Sequence, residues 1–591
     1  MEKRSMKSAL ALVLALVMCL TCFVGCNTEK PVETQPKETQ GTNKPAETTT
    51  PAVESNYPDY LNLDGYRPIV KEGEQITLKV AVLNHPSQEV PVEETWFVKF
   101  LEEKMNVKLE IENIENASAN DRKSLMFSSG DLPDMMLVFG LKATDLTQYG
   151  VEDELLLPIN EYMDETLTPN LIAHFESDST ATEAFTSPDG NIYGVPQLYG
   201  EAFGSSSTIP HGYRIFVDTK YMDAAGYETL PDTLDGFVDM LRAFKDVGDE
   251  LGVDTVYPLM GLDQQYRHII KSAFGWMHLL GDDDVLPVWD VEEGKIVIPA
   301  TQEKYKEYVT LMNTLYTEGL LHPDCFSVDR NTAKAIMAEG KVGVLNVDAP
   351  FVIAPNTWSD YIAHTPLKSE HNPEGYLKAS FSYGSSYVSI SADTEYPELC
   401  MRLLDYLCSP EGYVYNAIGA PKGSEDTLGL IEGYTIVNNT IDFGSQDDNY
   451  ETVIAYKVNN INLSWQYMVN EDYFLPYACE LAGITYEPTG LDPENNSDHH
   501  YKYELATACE GKLLSAIPNI VVPAEDNARY TDLKTALTNY VKQEYAKFVV
   551  GQRPLSELDA FQKELEAMGM AEYIELCEKA YANVVAPSLV H

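Results

Sequence analysis

The chain has 591 residues, with 41 lysines and arginines against 92 aspartates and glutamates, for a formal net charge of −51. At 44% apolar and 10% aromatic content it can bury a sizeable core, so disorder is excluded for most of its length. Nucleic acid is excluded as a partner because a polyanion is repelled and no basic stripe compensates.

At the N-terminus Lys3, Arg4 and Lys7 precede an apolar run over residues 9–20, too short for a comfortable membrane span. The run ends in Thr21-Cys22-Phe23-Val24-Gly25-Cys26, which resembles a bacterial lipobox, with Phe23 where Leu is usual. Residues 1–25 thus read as a lipoprotein signal peptide and Cys26 as a diacylated new N-terminus; an ordinary secretory signal or an uncleaved anchor is the alternative. Two acyl chains suffice for stable attachment, so the chain is expected exported and lipid-anchored to the outer face of the cell membrane. The surface is too acidic to approach anionic lipid by itself. Residues 26–73 read as the lipidated Cys followed by a disordered tether rich in Pro, Thr and Glu. Six further cysteines (Cys325, Cys400, Cys408, Cys479, Cys509 and Cys577) form no CxxC pair, so neither a zinc ribbon nor a redox motif is supported, and most read as buried small hydrophobes.

The body begins with an alternating, β-branched strand at 76–83 (ITLKVAVL). Residues 94–105 place Trp96, Phe97, Phe100 and Leu101 on one helical stripe, 107–114 form a second strand, 121–129 a helix stopped by Gly130, and 134–139 a short buried strand. This order predicts a parallel, doubly wound sheet. Further on, Gly226 ends a helix over 219–225, Thr233 caps the next, and Gly340 and Gly343 bracket entry into a strand.

Eight segments in fixed order carry a resemblance: 129–134 (SGDLPD) before an apolar strand, 150–161 (GVEDELLLPINE), 188–196 (PDGNIYGVP), 216–237, 315–326 (LYTEGLLHPDCF), 338–345 (AEGKVGVL), 396–413 (YPELCMRLLDYLCSPEGY) and 548–580. Together they resemble the extracellular solute-binding proteins of the oligosaccharide type that serve ABC transporters. The resemblance implies an α/β fold of two lobes (periplasmic-binding-protein type II), each a central sheet flanked by helices, with the ligand in the cleft between them. It places 74–200 and 384–450 in an N-terminal lobe, and 201–383 and 451–591 in a C-terminal lobe with a helical C-terminal region. Chain crossings are expected near 197–204 and 380–386. The implied function is capture of a carbohydrate, an oligosaccharide, and its delivery to ABC permease transmembrane subunits, by a monomer without cofactor. No HExxH, GxSxG or P-loop is present, so an enzyme is not expected. A secreted glycosidase, a binding protein for a peptide or signal molecule, and a surface sensor without transport are the alternatives.

Sugar recognition needs flat aromatic faces and planar polar groups. By their place in the resemblance the candidates are Tyr199, Phe203, Trp276, Trp358, Tyr383 and Trp465 as stacking faces, with Arg214 and Asp348 as polar partners. Each aromatic also reads as core, and Arg214 as a lobe-stabilising ion-pair residue. The acidic segment 246–254 lacks the EF-hand pattern, with Gly248 at position 3 and Leu251 at position 6, so no metal is expected there. Residues 281–284 (GDDD) read as a solvated turn, and the adjacent His499 and His500 as part of a polar loop with a weak claim on metal.

Overall fold

The computed structural model describes residues 57–591 apart from 85–87, 89, 116–117, 199–213, 279–282, 380–382, 438–439, 444–455, 457–459, 462–473, 487–492, 495–496, 516–521, 583, 585 and 590–591. The leader, Cys26 and most of the tether lie outside the described residues.

In chain order the strands are β1 (Ile76–Leu83), β2 (Val107–Ile114), β3 (Met135–Leu141), β4 (Val195–Leu198), β5 (Ile215–Asp218), β6 (Tyr257–Gly261), β7 (Trp276–His278), β8 (Val288–Asp290) and β9 (Lys295–Val297). They continue with β10 (Val342–Asn346), β11 (Tyr361–Ala363), β12 (Leu377–Lys378) and β13 (Tyr383–Ile390). Two sheets organise nine of them, one in the order β2-β1-β3-β13-β4 and one in the order β11-β5-β10-β6; β7, β8 and β9 form a small sheet of their own, and β12 pairs with Leu513–Leu514. The first three strands pair in parallel, Val80 facing both Ile111 and Met135, as the spacing of strands and helices predicts. β13 runs antiparallel to β3 and β4. In the second sheet β10 and β6 are parallel, while β5 opposes both β10 and β11.

Local chemistry accounts for the elements. Along β1, Ile76, Leu78, Val80 and Val82 are buried and Thr77 and Lys79 exposed, the period of a half-covered strand. The helix Trp96–Met105 buries Trp96, Phe97, Phe100 and Leu101 and stops at Asn106, which takes a left-handed conformation at φ +57°. The helix Ala119–Ser129 ends at Gly130 and Thr219–Ala225 at Gly226, both left-handed, where a side chain would be strained. The Thr233 hydroxyl accepts from the Gly236 amide at 3.3 Å and starts the helix Leu234–Lys245.

Two large cores result. The first gathers β1, β2, the helix Trp96–Met105 and the helix Pro397–Leu407. The second gathers Phe237, Phe244, Tyr305, Tyr308, Leu537 and Phe561, with the long helix Ala524–Val549 packed on Tyr305–Thr317. Two sequence boundaries move. The tether is shorter than expected: Leu61, Ile69 and Val70 fill the first core, and the amides of Ile69 and Val70 donate to the Met105 carbonyl at 3.0 and 3.2 Å. Arg67 also pairs with Asp426 at 2.8 Å and lies over the Phe100 ring. The segment 451–591, expected to return to the C-terminal lobe, is divided: Ala478 and Cys479 are in the first core, where the Tyr434 hydroxyl donates to the Ala478 carbonyl at 3.0 Å, whereas Leu505 packs with β10 and β11. Apolar fit, not chain order, makes that division.

Candidate functional site

Because β6 and β10 are parallel, their C-terminal ends at Gly261 and Asn346 share one edge of the second sheet, and antiparallel β5 begins at that edge directly after Arg214. Such edges are where an α/β sheet leaves polar groups free of the ladder. Asn346 is fully buried, and its Nδ2 donates to the Arg214 carbonyl at 3.3 Å. Arg214 Nη1 donates to the Asp348 carbonyl at 2.9 Å, and the Asp348 carboxylate is paired with Arg330. The Tyr501 ring lies 5.8 Å from the Arg214 guanidinium carbon, with Phe351 edge-on to it. One residue earlier, His500 packs its ring against Trp358 at 5.0 Å, and its Nε2–H donates to the Tyr361 carbonyl at 2.9 Å.

The edge is built tightly. A Cβ on Gly261 would sit 2.8 Å from the Tyr266 amide nitrogen and 3.0 Å from Asn346 Cβ, so only glycine allows this approach. Asp329 fixes Arg330 at the first turn of the helix Arg330–Ala338 by accepting from the Thr332 amide at 2.9 Å.

Beyond β6 a cavity of about 460 Å³ opens between residues 264–267, Phe326 and the long C-terminal helix, lined by Gln264, Arg267, Phe326, Lys542 and Tyr545. Its volume is within the range of small-molecule sites. One wall is a buried charge cluster. Asp284 accepts from Arg267 Nη2 at 2.8 Å on both oxygens and from the Tyr305 hydroxyl at 2.8 Å, and Lys271 Nζ lies 2.6 Å away. Burial works to raise the Asp284 pKa, but Arg267 and Lys271 outweigh it and hold the carboxyl below its ordinary value. Arg267 also lies 4.1 Å over the Tyr545 ring.

The first sheet presents the corresponding edge. β1, β2 and β3 end there at Leu83, Ile114 and Leu141, β4 ends at Leu198, and β13 starts there at Tyr383. Asn84 Nδ2 reaches the Glu115 carboxylate at 3.4 Å, and Phe127 stacks on Tyr149 with centroids 3.8 Å apart. The π-helical segment Thr147–Glu152, which carries Tyr149, touches the long helix Ala524–Val549 of the second core.

The structure thus brings Arg214, Asp348 and Trp358 to one edge, the last through the helix Ser497–Cys509. Trp276 is corrected: at 0% exposure, packed among Phe274, Tyr305 and Tyr308, it has no face for a ligand. Tyr383, expected as a stacking face at the second crossing, is the first residue of a strand, and its ring is buried edge-on to Phe185. Tyr199, Phe203 and Trp465 lie outside the described residues. The turn at 281–284 is corrected as well, since Asp284 is a buried ion-pair centre. His500 is on a helix rather than a loop. The segment 246–254 includes the helical turn Gly248–Leu251, closed by left-handed Gly252. Among the described residues, Glu307, Glu370 and His371 are close enough together to share a metal, and His371 is already engaged by Glu292 at 2.8 Å. The sequence reading missed Arg267, Arg330 and Tyr501. A signal existed for the two arginines: each opens a helix, where a cation opposes the macrodipole, and such local conflicts mark functional or strained places.

A family model described as bacterial extracellular solute-binding protein matches residues 95–421. The fructooligosaccharide ABC transporter substrate-binding protein FusA of Streptococcus pneumoniae is 22% identical over 535 residues, covering 89% of this chain and 93% of that protein. Lipoprotein LipO of Bacillus subtilis is 23% identical over 271 residues, 44% of this chain and 48% of its own. Among solved structures, FusA in complex with kestose superposes with a TM-score of 0.67 at 21% identity, over 86% of this chain and 99% of that one. A solute-binding protein of Bifidobacterium longum infantis, described as binding HMO, gives 0.65 at 18% identity, over 86% and 99%. These likenesses establish the two-lobed α/β fold.

Proposed function

We propose that this chain, which belongs to the bacterial extracellular solute-binding proteins, captures an oligosaccharide between its two lobes, at the edges of their sheets, and delivers it unaltered to the transmembrane subunits of an ABC importer. The observation that carries the reading is the edge formed by Arg214, Asp348 and Arg330 beside the half-buried rings of His500 and Trp358, with the buried Tyr501 ring packed against Arg214. Planar donors next to ring faces are the pairing that a pyranose or furanose demands, hydroxyls in its plane and C–H groups above it. The chain passes between the sheets from β4 to β5 and from β11, by way of β12, to β13, so a ligand touching both edges would stabilise a closed arrangement. It does so only by the difference in its affinity for the closed and open forms. The names of the relatives, one a fructooligosaccharide carrier, support a carbohydrate.

The chain is exported, as its family is extracellular. We assign its retention to a diacylated Cys26, with residues 27–56 as tether. Partition of wild type into detergent phase, and of Cys26→Ala into the aqueous phase, is the expected outcome. For the ligand, differential scanning fluorimetry against glycan and peptide libraries is decisive, because a ligand of the native form raises Tm by mass action. A rise with an oligosaccharide recovered intact by chromatography supports the proposal. A rise with peptides only, or appearance of a cleaved glycan, overturns it.

A further inference from the structure

Arg214 is held but not satisfied. Nη1 is spent on the Asp348 carbonyl at 2.9 Å, and the Tyr501 ring limits the motion of the guanidinium plane. Its Nε is buried, and among the described residues it has no hydrogen-bond partner. No carboxylate among them comes within ion-pair distance of Arg214: the side chain of Asp348 belongs to Arg330. Asn346 Oδ1, in the fully buried residue that positions the Arg214 carbonyl, likewise has no partner there. A buried donor on a cation without an acceptor is unfavourable, so the described residues leave this place incomplete.

The chemistry of the missing partner follows from geometry. With Nη1 occupied, the free edge of the guanidinium is the one formed by Nε–H and Nη2–H, two parallel donors spaced for the two oxygens of one carboxylate. A neutral diol could also bridge them, but it would leave the charge of a partly buried cation unanswered; an anion answers both. In a chain of net charge −51, long-range attraction cannot select an anionic ligand, so selection falls to such a local cation. We propose that Arg214 is a specificity-determining residue that receives a carboxylate, and that the saccharide captured here carries uronic-acid-type residues.

This rests on the reading of the chain as an oligosaccharide carrier. The test uses the full mature chain and matched pairs of probes, trisaccharides of galacturonate, mannuronate, guluronate and glucuronate, each beside its carboxyl-reduced neutral counterpart, with affinity measured by calorimetry. The expected result is that at least one carboxylated trisaccharide binds at least about tenfold tighter than its reduced partner, the gain of one charge-assisted pair. Arg214→Gln should bring that ratio to near one, and Arg214→Lys, which keeps the charge and loses the fork, should fall between. The wild-type ratio needs no variant and stands if a variant fails to fold. A ratio near one in every pair, tighter binding of the reduced sugars, or equal loss of both members in Arg214→Gln would overturn the inference while leaving carbohydrate capture intact. If neither set binds and only peptides do, both fall.

Discussion

Asp284 offers the sharpest test of how the second lobe is held together. Its carboxylate meets Arg267 Nη2 at 2.8 Å, Lys271 Nζ at 2.6 Å and the Tyr305 hydroxyl at 2.8 Å, with Asp284, Arg267 and Lys271 all buried. Replacing it by Asn keeps the volume and one acceptor but deletes the negative charge between two cations. Removing one member of a buried pair costs about 3–5 kcal/mol, a large fraction of the roughly 5–15 kcal/mol that stabilises a typical domain. The neighbouring Asp283 supplies the control. It pairs with Lys542, whose side chain is 56% exposed, and exposed pairs contribute about 0–1 kcal/mol. Urea unfolding followed by far-UV circular dichroism at pH 7 should therefore show Asp284→Asn losing several times more stability than Asp283→Asn. The acid limb adds a second readout. Because the folded pKa of Asp284 lies below its unfolded value, its stabilisation is present above the unfolded pKa and is lost as pH falls through the folded one. The Asn variant should lack that part of the acid loss. If the two substitutions fall within about 1 kcal/mol of each other, the ion-pair account of this core is wrong.

Three further outcomes follow from the same structure. Gly261→Ala drives a Cβ to within 2.8 Å of the Tyr266 amide and should cost about 1–3 kcal/mol by overpacking; an unchanged Tm would show that the edge is looser than described. Trp276→Phe should lower stability by roughly 1–3 kcal/mol while preserving the ligand-induced rise in Tm, since this ring is core; loss of the ligand response at full stability would restore it to the site. His174 and His364 are buried, and desolvation pushes the pKa of each down to about 4. The unfolded chain therefore takes up their protons first. Stability is complete above the unfolded value near 6.5 and declines toward pH 4, by up to about 3 kcal/mol per histidine; urea midpoints that do not change between pH 7 and 4.5 would contradict this.

Much of the architecture was legible because it is written in short-range terms. The alternation in β1, the aromatic stripe of Trp96–Met105, the left-handed stops at Gly130 and Gly226 and the Thr233 cap each depend on a few adjacent residues, and the structure has them where the pattern puts them. The parallel start of the first sheet follows from their order. The site was only partly legible. Arg214 and Asp348 were named from their place beside strands, but Arg330 and Tyr501, which complete their surroundings, lie far along the chain and arrive only when β5 and β10 pair and the helix Ser497–Cys509 folds onto β11. Aromatic identity could not separate Trp276, sealed in a ring cluster, from Trp358, half-buried against His500. Nor could three successive aspartates disclose that the last is buried between Arg267 and Lys271. Periodicity and turn chemistry are properties of neighbours in sequence, so the amino-acid order determined the elements. Burial and charge pairing are properties of neighbours in space, so the tertiary structure alone decided which side chains face a ligand and which face the core.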